Sequence, residues 1–287
     1  MILVLGANGQ LGHDLSQRFS NKGVKFLQVT RSDVDIANLD ALELFLDDKD
    51  FSVLVNCTSY HKTDEVEDNA PNAFLINSSA PMLMAQICQK KGAKMFHIST
   101  DYVFGGNEES KPLDENACTA PLNIYGSSKL QGESLVKKNC KDSYVFRVAS
   151  LFGVAGASGK GGNFVEAIIR NAKEKGEIKV VDDQIMSPTS TNFIANVIAQ
   201  FCEGNQQPGT YHVVNKGEVS WFEFAKKICQ MCKIDVVATP IKADELNLKA
   251  KRPSYSALNP KKLLDNGVEV PTYEYELEKY LKLKGHL

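Results

Sequence analysis

No stretch of this 287-residue chain reaches the roughly 18 consecutive apolar residues that a membrane-spanning helix requires. The apolar start, Met1 to Gly6, is broken too soon for a secretory signal. Charge of one sign is not in surplus either: 33 basic against 35 acidic side chains leave a net charge of −2. Neutralising phosphates takes a basic excess, so neither nucleic acid nor an anionic membrane is an expected partner. A local pocket for a small anion stays open. The cysteines (Cys57, Cys88, Cys118, Cys140, Cys202, Cys229 and Cys232) lack framework-like spacing and read as free thiols in a reducing, cytoplasmic setting. Cys229 and Cys232 form a C-x-x-C, but no second pair and no H-x-x-x-H completes a metal cage, so no metal is expected. His13, His61, His97, His212 and His286 show no ligand spacing, and His97, inside an apolar run, reads as a core histidine. Internal repeats and low-complexity tails are absent, and Trp221 is the single tryptophan.

What remains is globular, 43% hydrophobic and 24% charged, and long enough for one large domain or two smaller ones. In the first half, short apolar runs at 2–5, 25–29, 53–56, 94–99 and 144–148 alternate with amphipathic stretches at 11–20, 39–46, 72–91 and 125–138. Nearly continuous apolar strands are expected where both faces of a sheet are covered. The β-α-β-α rhythm predicts an α/β fold with a parallel, doubly wound sheet. After Phe152 the rhythm changes. A Gly/Ala/Ser/Lys loop at 153–162 precedes helices at 163–175 and 221–232, another helix ending at Cys202, and strands at 178–181 and 209–215. A Pro-punctuated remainder closes on a helix. The expected division is a dinucleotide-binding Rossmann domain, 1–152, and a smaller α+β substrate domain, 153–287, with some segments returning to the main sheet.

The first strand runs into Gly6-Ala7-Asn8-Gly9-Gln10-Leu11-Gly12. Gly6 permits a tight turn, Gly9 lets backbone approach a pyrophosphate, and Gly12 lets the following helix pack closely with its positive end on the phosphates. A glycine triplet leaving a strand and opening a helix is the context that makes it a dinucleotide site. At the end of the second strand a carboxylate would bind the ribose of NAD. The chain reads Val29-Thr30-Arg31-Ser32 there, and Arg31 can clamp the extra phosphate of NADP, so NADPH is the preferred cofactor and NADH the alternative. Asp35 and Ile36 follow as adenine contacts.

Tyr125 and Lys129 stand at i and i+4 near a helix start, hence on one face. An ammonium beside a phenol lowers its proton affinity, which suits Tyr125 to proton transfer, and Lys129 can also bind the nicotinamide ribose. Thr100 lies at the carboxyl end of a predicted parallel strand, the edge where open α/β sheets bind ligands, and can hydrogen-bond a substrate carbonyl.

These residues resemble the extended short-chain dehydrogenase/reductases. More closely, GANGQLG, STDYVFGG, PLNIYGSSK, GGNF, DQIMSPT and RPSYSAL, in order along the whole chain, resemble the dTDP-4-dehydrorhamnose reductases. The resemblance implies a nucleotide-sugar held between a Rossmann domain and a smaller C-terminal domain, in a monomer or homodimer. It implies Thr100, Tyr125 and Lys129 as the catalytic trio, with Gly9, Gln10 and Leu11 on the pyrophosphate. Cys57, Thr58, Ser59, Tyr60 and His61 match a usually Ala-rich segment along the cofactor. Thr100 and Asp101 are implied beside the sugar, and Asn163 and Arg252 on the nucleotide diphosphate.

Related 4,6-dehydratases carry Asp-Glu after the threonine. Here Tyr102 follows Asp101, so dehydration lacks an acid/base group and reduction is favoured. A 4-epimerase and a non-catalytic regulatory subunit are the alternatives, the latter expected to have lost the Thr/Tyr/Lys set. The family's usual Arg-Thr-Ser-Trp is Arg147-Val148-Ala149-Ser150 here, which reshapes the sugar pocket and leaves another 4-keto nucleotide-sugar open. Lys160 is a candidate for a basic lid over the diphosphate, and Trp221 reads as core of the smaller domain.

Overall fold

A computed structural model describes residues 1–106, 110–156 and 162–287. Lys160 therefore lies outside the described residues. The first half runs β1 (Ile2–Leu5), α1 (Gln10–Asn21), β2 (Phe26–Val29), α2 (Leu39–Asp47), β3 (Val53–Asn56), α3 (Thr63–Glu67), α4 (Ala70–Phe74), α5 (Ala80–Lys91), β4 (Lys94–Thr100), α6 (Ile124–Asn139) and β5 (Ser143–Val148). The second half runs β6 (Leu151–Phe152), α7 (Phe164–Lys175), β7 (Glu177–Val181), β8 (Ile185–Met186), β9 (Thr189–Ser190), α8 (Thr191–Glu203), β10 (Gly209–His212), β11 (Val219–Ser220), α9 (Trp221–Met231), β12 (Val237–Ile241), α10 (Lys261–Asp265) and α11 (Tyr273–Leu283).

Six strands form an all-parallel sheet in the order β2-β1-β3-β4-β5-β10. Side chains alternate across it as the two-residue period of a strand demands. Ile2, Val4, Val53, Val55, Phe96 and Ile98 face the layer of α1 and α8, while Leu3, Leu5, Leu54 and Met95 face that of α2, α5 and α6. Burial on both faces is why β1, β3 and β5 read as nearly continuous apolar runs, Asn56 and Arg147 aside. This is the Rossmann architecture that the sequence rhythm predicts. Among the described residues, no helix is long and apolar enough to cross a membrane.

The expected helix at 72–91 is interrupted. A π-turn at Leu75–Ser79 separates α4 from α5, and Pro81, which has no N–H to give the ladder, stands just after it. The extra residue of the turn lets Asn77 reach the loop after β3. Its Oδ1 accepts from the Tyr60 N–H at 2.9 Å, and its Nδ2 donates to the Tyr60 carbonyl at 3.1 Å and to Ser128 Oγ at 3.0 Å.

The second half serves two cores. β10 returns to the main sheet beside β5, and α8 packs on α1. The rest gathers around Phe152, Phe224, Leu277 and Tyr280, with α7, α9 and α11 covering the parallel pair β7–β12. β12 lies in the stretch read as loop. Its Pro240 and its mostly exposed side chains suit an edge strand and hide the alternation that marks a buried one.

Candidate active site

A cavity of about 830 Å³ opens across the carboxyl ends of β1, β3, β4 and β5, where the chain changes direction between β1 and β3. At one end stands the glycine turn. Gly6 adopts φ +77°, and a Cβ on Gly12 would run into the Gly6 carbonyl oxygen, so only glycine lets α1 start this close to β1. Gly12 is behind the wall; Gly6, Asn8, Gly9, Gln10 and Leu11 are on it. The N-cap of α1 is Gly9, with no side chain capping the first turn, and Gln10 Oε1 is buried without a hydrogen-bond partner. The uncapped N-terminus of α1, whose free N–H groups face the cavity, suits an anionic group such as a dinucleotide pyrophosphate, whereas Gln10 Oε1, an acceptor, calls for a donor such as a hydroxyl.

The corner after β2 differs from its linear reading. Residues 29–32 contain no acid, but the turn folds Asp33 back, so that its Oδ2 accepts from the Thr30 N–H at 2.7 Å and the Thr30 hydroxyl at 2.8 Å. Arg31 donates to Asp35 at 2.9 Å, and both are exposed enough for the pair to exchange with a ligand. Arg31, Asp35 and Ile36 all line the cavity.

Along the floor, Cys57, Thr58, Ser59 and His61 are on the wall, whereas Tyr60 is off it, its backbone clamped by Asn77. Burial pushes the Cys57 thiol up to about 12.

The strand ends and α6 then assemble the reactive groups. Asn123 caps α6, its Oδ1 accepting from the Gly126 N–H at 2.8 Å, which sets Tyr125 in the first turn. Gly126 lets that turn pass the Tyr102 carbonyl, where a Cβ would overlap. Thr100 Oγ1 donates to Asp101 Oδ1 at 3.0 Å, and Ser256 donates to Asp101 Oδ2 at 2.7 Å. Burial pushes the Asp101 carboxyl up to about 6. Burial likewise pushes Tyr125 up to about 12, while hydrogen bonds from Thr100 and Ser59 pull the other way. Lys129 is fully buried. Its Nζ donates to the Ile98 carbonyl at 2.6 Å, and burial pushes it down to about 8. Behind it Glu133 ties α6 to the sheet, accepting from Arg147 Nη2 at 2.8 Å and Ser99 Oγ at 2.6 Å.

At the far end the polar groups are already engaged. Asn163 lines the cavity but caps α7 with its Oδ1, and donates through Nδ2 to the Gly153 carbonyl at 3.0 Å and Tyr280 Oη at 3.1 Å. Arg252 sits on a small side recess, its Nη2 donating to Asp64 Oδ2 at 2.5 Å and its Nη1 to the Ala250 carbonyl at 2.6 Å. Neither presents the idle side chain expected of a diphosphate contact. Ser150, at φ +45°, is on the wall. Trp221, read from sequence as core of the smaller domain, does pack against that core together with Phe164, and both are on the wall too, ring centroids 4.6 Å apart. Each is the first residue of its helix, a position whose burial no periodicity reveals. Among the described residues, no group of three or more His, Cys, Asp or Glu is placed to hold a metal.

A parallel sheet with a cavity at its switch point, a half-buried tyrosine and a buried lysine one helical turn apart, and a strand-end threonine beside them fits the nicotinamide-dependent, Rossmann-fold oxidoreductases. Residues 1–285 match the family model described as RmlD substrate binding domain, and the chain belongs to that family. It is 34% identical over 268 residues to the dTDP-4-dehydrorhamnose reductase of Mycolicibacterium smegmatis, covering 93% of this chain and 80% of that protein. It is 32% identical over 281 residues to the spore coat polysaccharide biosynthesis protein SpsK of Bacillus subtilis, covering 98% and 96%. The crystal structure of dTDP-4-dehydrorhamnose reductase from Bacillus anthracis in complex with NADP superimposes with a TM-score of 0.92 at 35% identity over 98% of each chain.

Proposed function

We propose that this chain reduces the 4-keto group of a nucleotide-activated deoxysugar, taking dTDP-4-dehydro-L-rhamnose to dTDP-L-rhamnose with NADPH preferred over NADH. The observation that carries the reading is the Thr100–Tyr125 hydroxyl pair at the sheet's carboxyl edge, in a cavity whose other end is an uncapped helix N-terminus. Asn8, Gly9, Gln10 and Leu11 would hold the cofactor pyrophosphate, Arg31 the ribose phosphate, Asp35 and Ile36 the adenine, and Lys129 the nicotinamide ribose. When bound, the nicotinamide supplies a hydride to the carbonyl carbon.

With substrate in place, Thr100 would turn its hydroxyl from Asp101 to the carbonyl oxygen beside that of Tyr125, and both hydrogen bonds strengthen as that oxygen gains negative charge. Tyr125 then gives its proton to the alkoxide. Ser59, between Asn77 Oδ1 at 3.3 Å and the Tyr125 phenol, orients the donor. Asp101 is tied to Thr100 and Ser256, with Tyr102 rather than a second acid after it, so the Asp-Glu pair that would eliminate water is missing at this position of the sequence.

The test is a panel of 4-keto nucleotide-sugars with NADPH and NADH, following loss of nicotinamide absorbance. The expected result is fastest turnover with dTDP-4-dehydro-L-rhamnose and NADPH. Ser150, on the cavity wall where the family usually has tryptophan, favours one second reading, a different 4-keto nucleotide-sugar, which the same panel would single out. A chain that oxidises neither nicotinamide with any of them, yet binds a partner enzyme, would be a regulatory subunit instead.

A further inference from the structure

Behind the catalytic face, side chains from three elements form one buried line of hydrogen bonds whose polarity can be followed from end to end. The Thr58 N–H and hydroxyl both donate to Asn56 Oδ1, at 3.0 and 2.5 Å. Two donors on one oxygen fix which end of the amide is which, so Asn56 Nδ2 donates to His97 Nδ1, 3.2 Å away. A ring nitrogen that accepts carries no proton. His97 is fully buried in β4, between β3 and β5, and burial holds it well below the ordinary imidazole range. The one proton of the neutral ring therefore sits on Nε2. That nitrogen faces Lys129 Nζ at 3.4 Å. Gly132, on α6 beyond Lys129, lets the helix pass the Asn77 carbonyl oxygen, where a Cβ would overlap, and lies beside His97 Nε2.

We propose that His97 is a positioning residue for Lys129: its Nε2–H, aimed by Asn56, favours the neutral amine, so that Lys129 takes up and releases a proton while Tyr125 turns over. An amine has three directions to satisfy. One N–H goes to the Ile98 carbonyl, the lone pair accepts His97 Nε2–H, and one N–H remains for the cavity. An ammonium has no lone pair and must turn a third N–H against the imidazole N–H.

The other ionisable groups around Lys129 are accounted for. Glu133, one turn along α6, favours the ammonium, but its oxygens are taken by Arg147 of β5 and by Ser99. The Cys57 thiol, after β3, is kept protonated by burial, and Tyr125 stands one turn earlier on α6. In turnover, a proton relayed from the ammonium restores the Tyr125 phenolate. An N–H bond breaks, an O–H bond forms, the freed lone pair accepts His97 Nε2–H, and solvent water returns the proton to nitrogen. That consequence rests on the reductase reading; the hydrogen-bond polarity does not.

Two spectroscopic measurements test it on the intact chain. In protein labelled with ¹⁵N-histidine, long-range ¹H–¹⁵N spectra of His97, assigned by its loss in His97→Gln, are expected to show the Nε2–H tautomer and no titration between about pH 5.5 and 9. An Nδ1–H tautomer, or protonation within that range, overturns the proposal. With ¹³C-lysine, the Lys129 midpoint is expected to rise by about one pH unit in His97→Leu, and to stay near wild type in His97→Gln, whose amide keeps an N–H at that place. The alkaline limb of kcat should move with it. An unchanged midpoint in His97→Leu also overturns the proposal. If that variant does not fold, the wild-type tautomer decides. Should the midpoints move as expected while no 4-keto nucleotide-sugar is turned over, the reductase reading falls and the assignment of His97 stands.

Discussion

The two ends of the cavity are built on opposite terms. At the glycine turn, binding capacity is left idle: the first turn of α1 has no capping side chain, and Arg31 holds Asp35 only through an exposed pair. At the other end, Asn163 and Arg252 already have partners inside the chain. An idle group binds at the cost of its own desolvation alone, whereas a paired group must first give up a hydrogen bond of comparable strength. On the proposed reading, the glycine-turn end is ready for a cofactor as it stands, whereas a sugar nucleotide that uses Asn163 or Arg252 has contacts to replace.

The contrast can be broken or sharpened by substitution. The largest expected effect lies between the two ends. Tyr125→Phe should cut kcat by about 10²–10⁴-fold while leaving NADPH affinity nearly unchanged, and near-wild-type rates would show that the proton comes from elsewhere. Arg31→Ala should raise KM for NADPH about tenfold, the worth of one charged hydrogen-bonding group, and leave KM for NADH alone. Equal effects on both cofactors would mean that Arg31 does not read the ribose phosphate. At the other end, Asp64→Asn should lower KM for the nucleotide-sugar several-fold by freeing Arg252, and Arg252→Ala should raise it. If both leave KM unmoved, Arg252 only packs the recess.

The smallest expected effect is on stability. Lys129 is held at about 8 in the folded chain against an ordinary 10.5, so the fold disfavours its charge. That penalty is complete below about 8 and fades as pH rises towards 10.5. Lys129→Met should therefore raise Tm by a few degrees at neutral pH, with the gain shrinking under alkaline conditions, while abolishing turnover. A gain that grows with pH would reverse the sign of the argument.

Much of this was legible in the residues. The five N-terminal strands announce themselves because a doubly covered sheet needs continuous apolar runs, and Gly6 to Gly12 announces itself because only glycine fits beside the Gly6 carbonyl. What stayed hidden depends on contacts distant along the chain. Asn77 looks like one more polar residue on a long helix until the π-turn swings it to Tyr60. Asp33 looks irrelevant to Thr30 until the turn closes. The pairing of Asp64 with Arg252 joins residues from opposite halves of the chain, and no local pattern encodes it. The cavity-facing side of Trp221 is hidden for the same reason, since the first residue of an amphipathic helix can face core, cavity or, as here, both.

That tryptophan gives the molecule a reporter of its own. With no other indole in the chain, its emission carries no background from elsewhere in the fold. Placed on the cavity wall against Phe164, it should dim or shift when the neighbouring space fills, and a reduced nicotinamide bound in the same cavity is positioned to quench it by energy transfer. Filling of the two ends could then be timed separately in a stopped-flow cell, with no label attached and no turnover required.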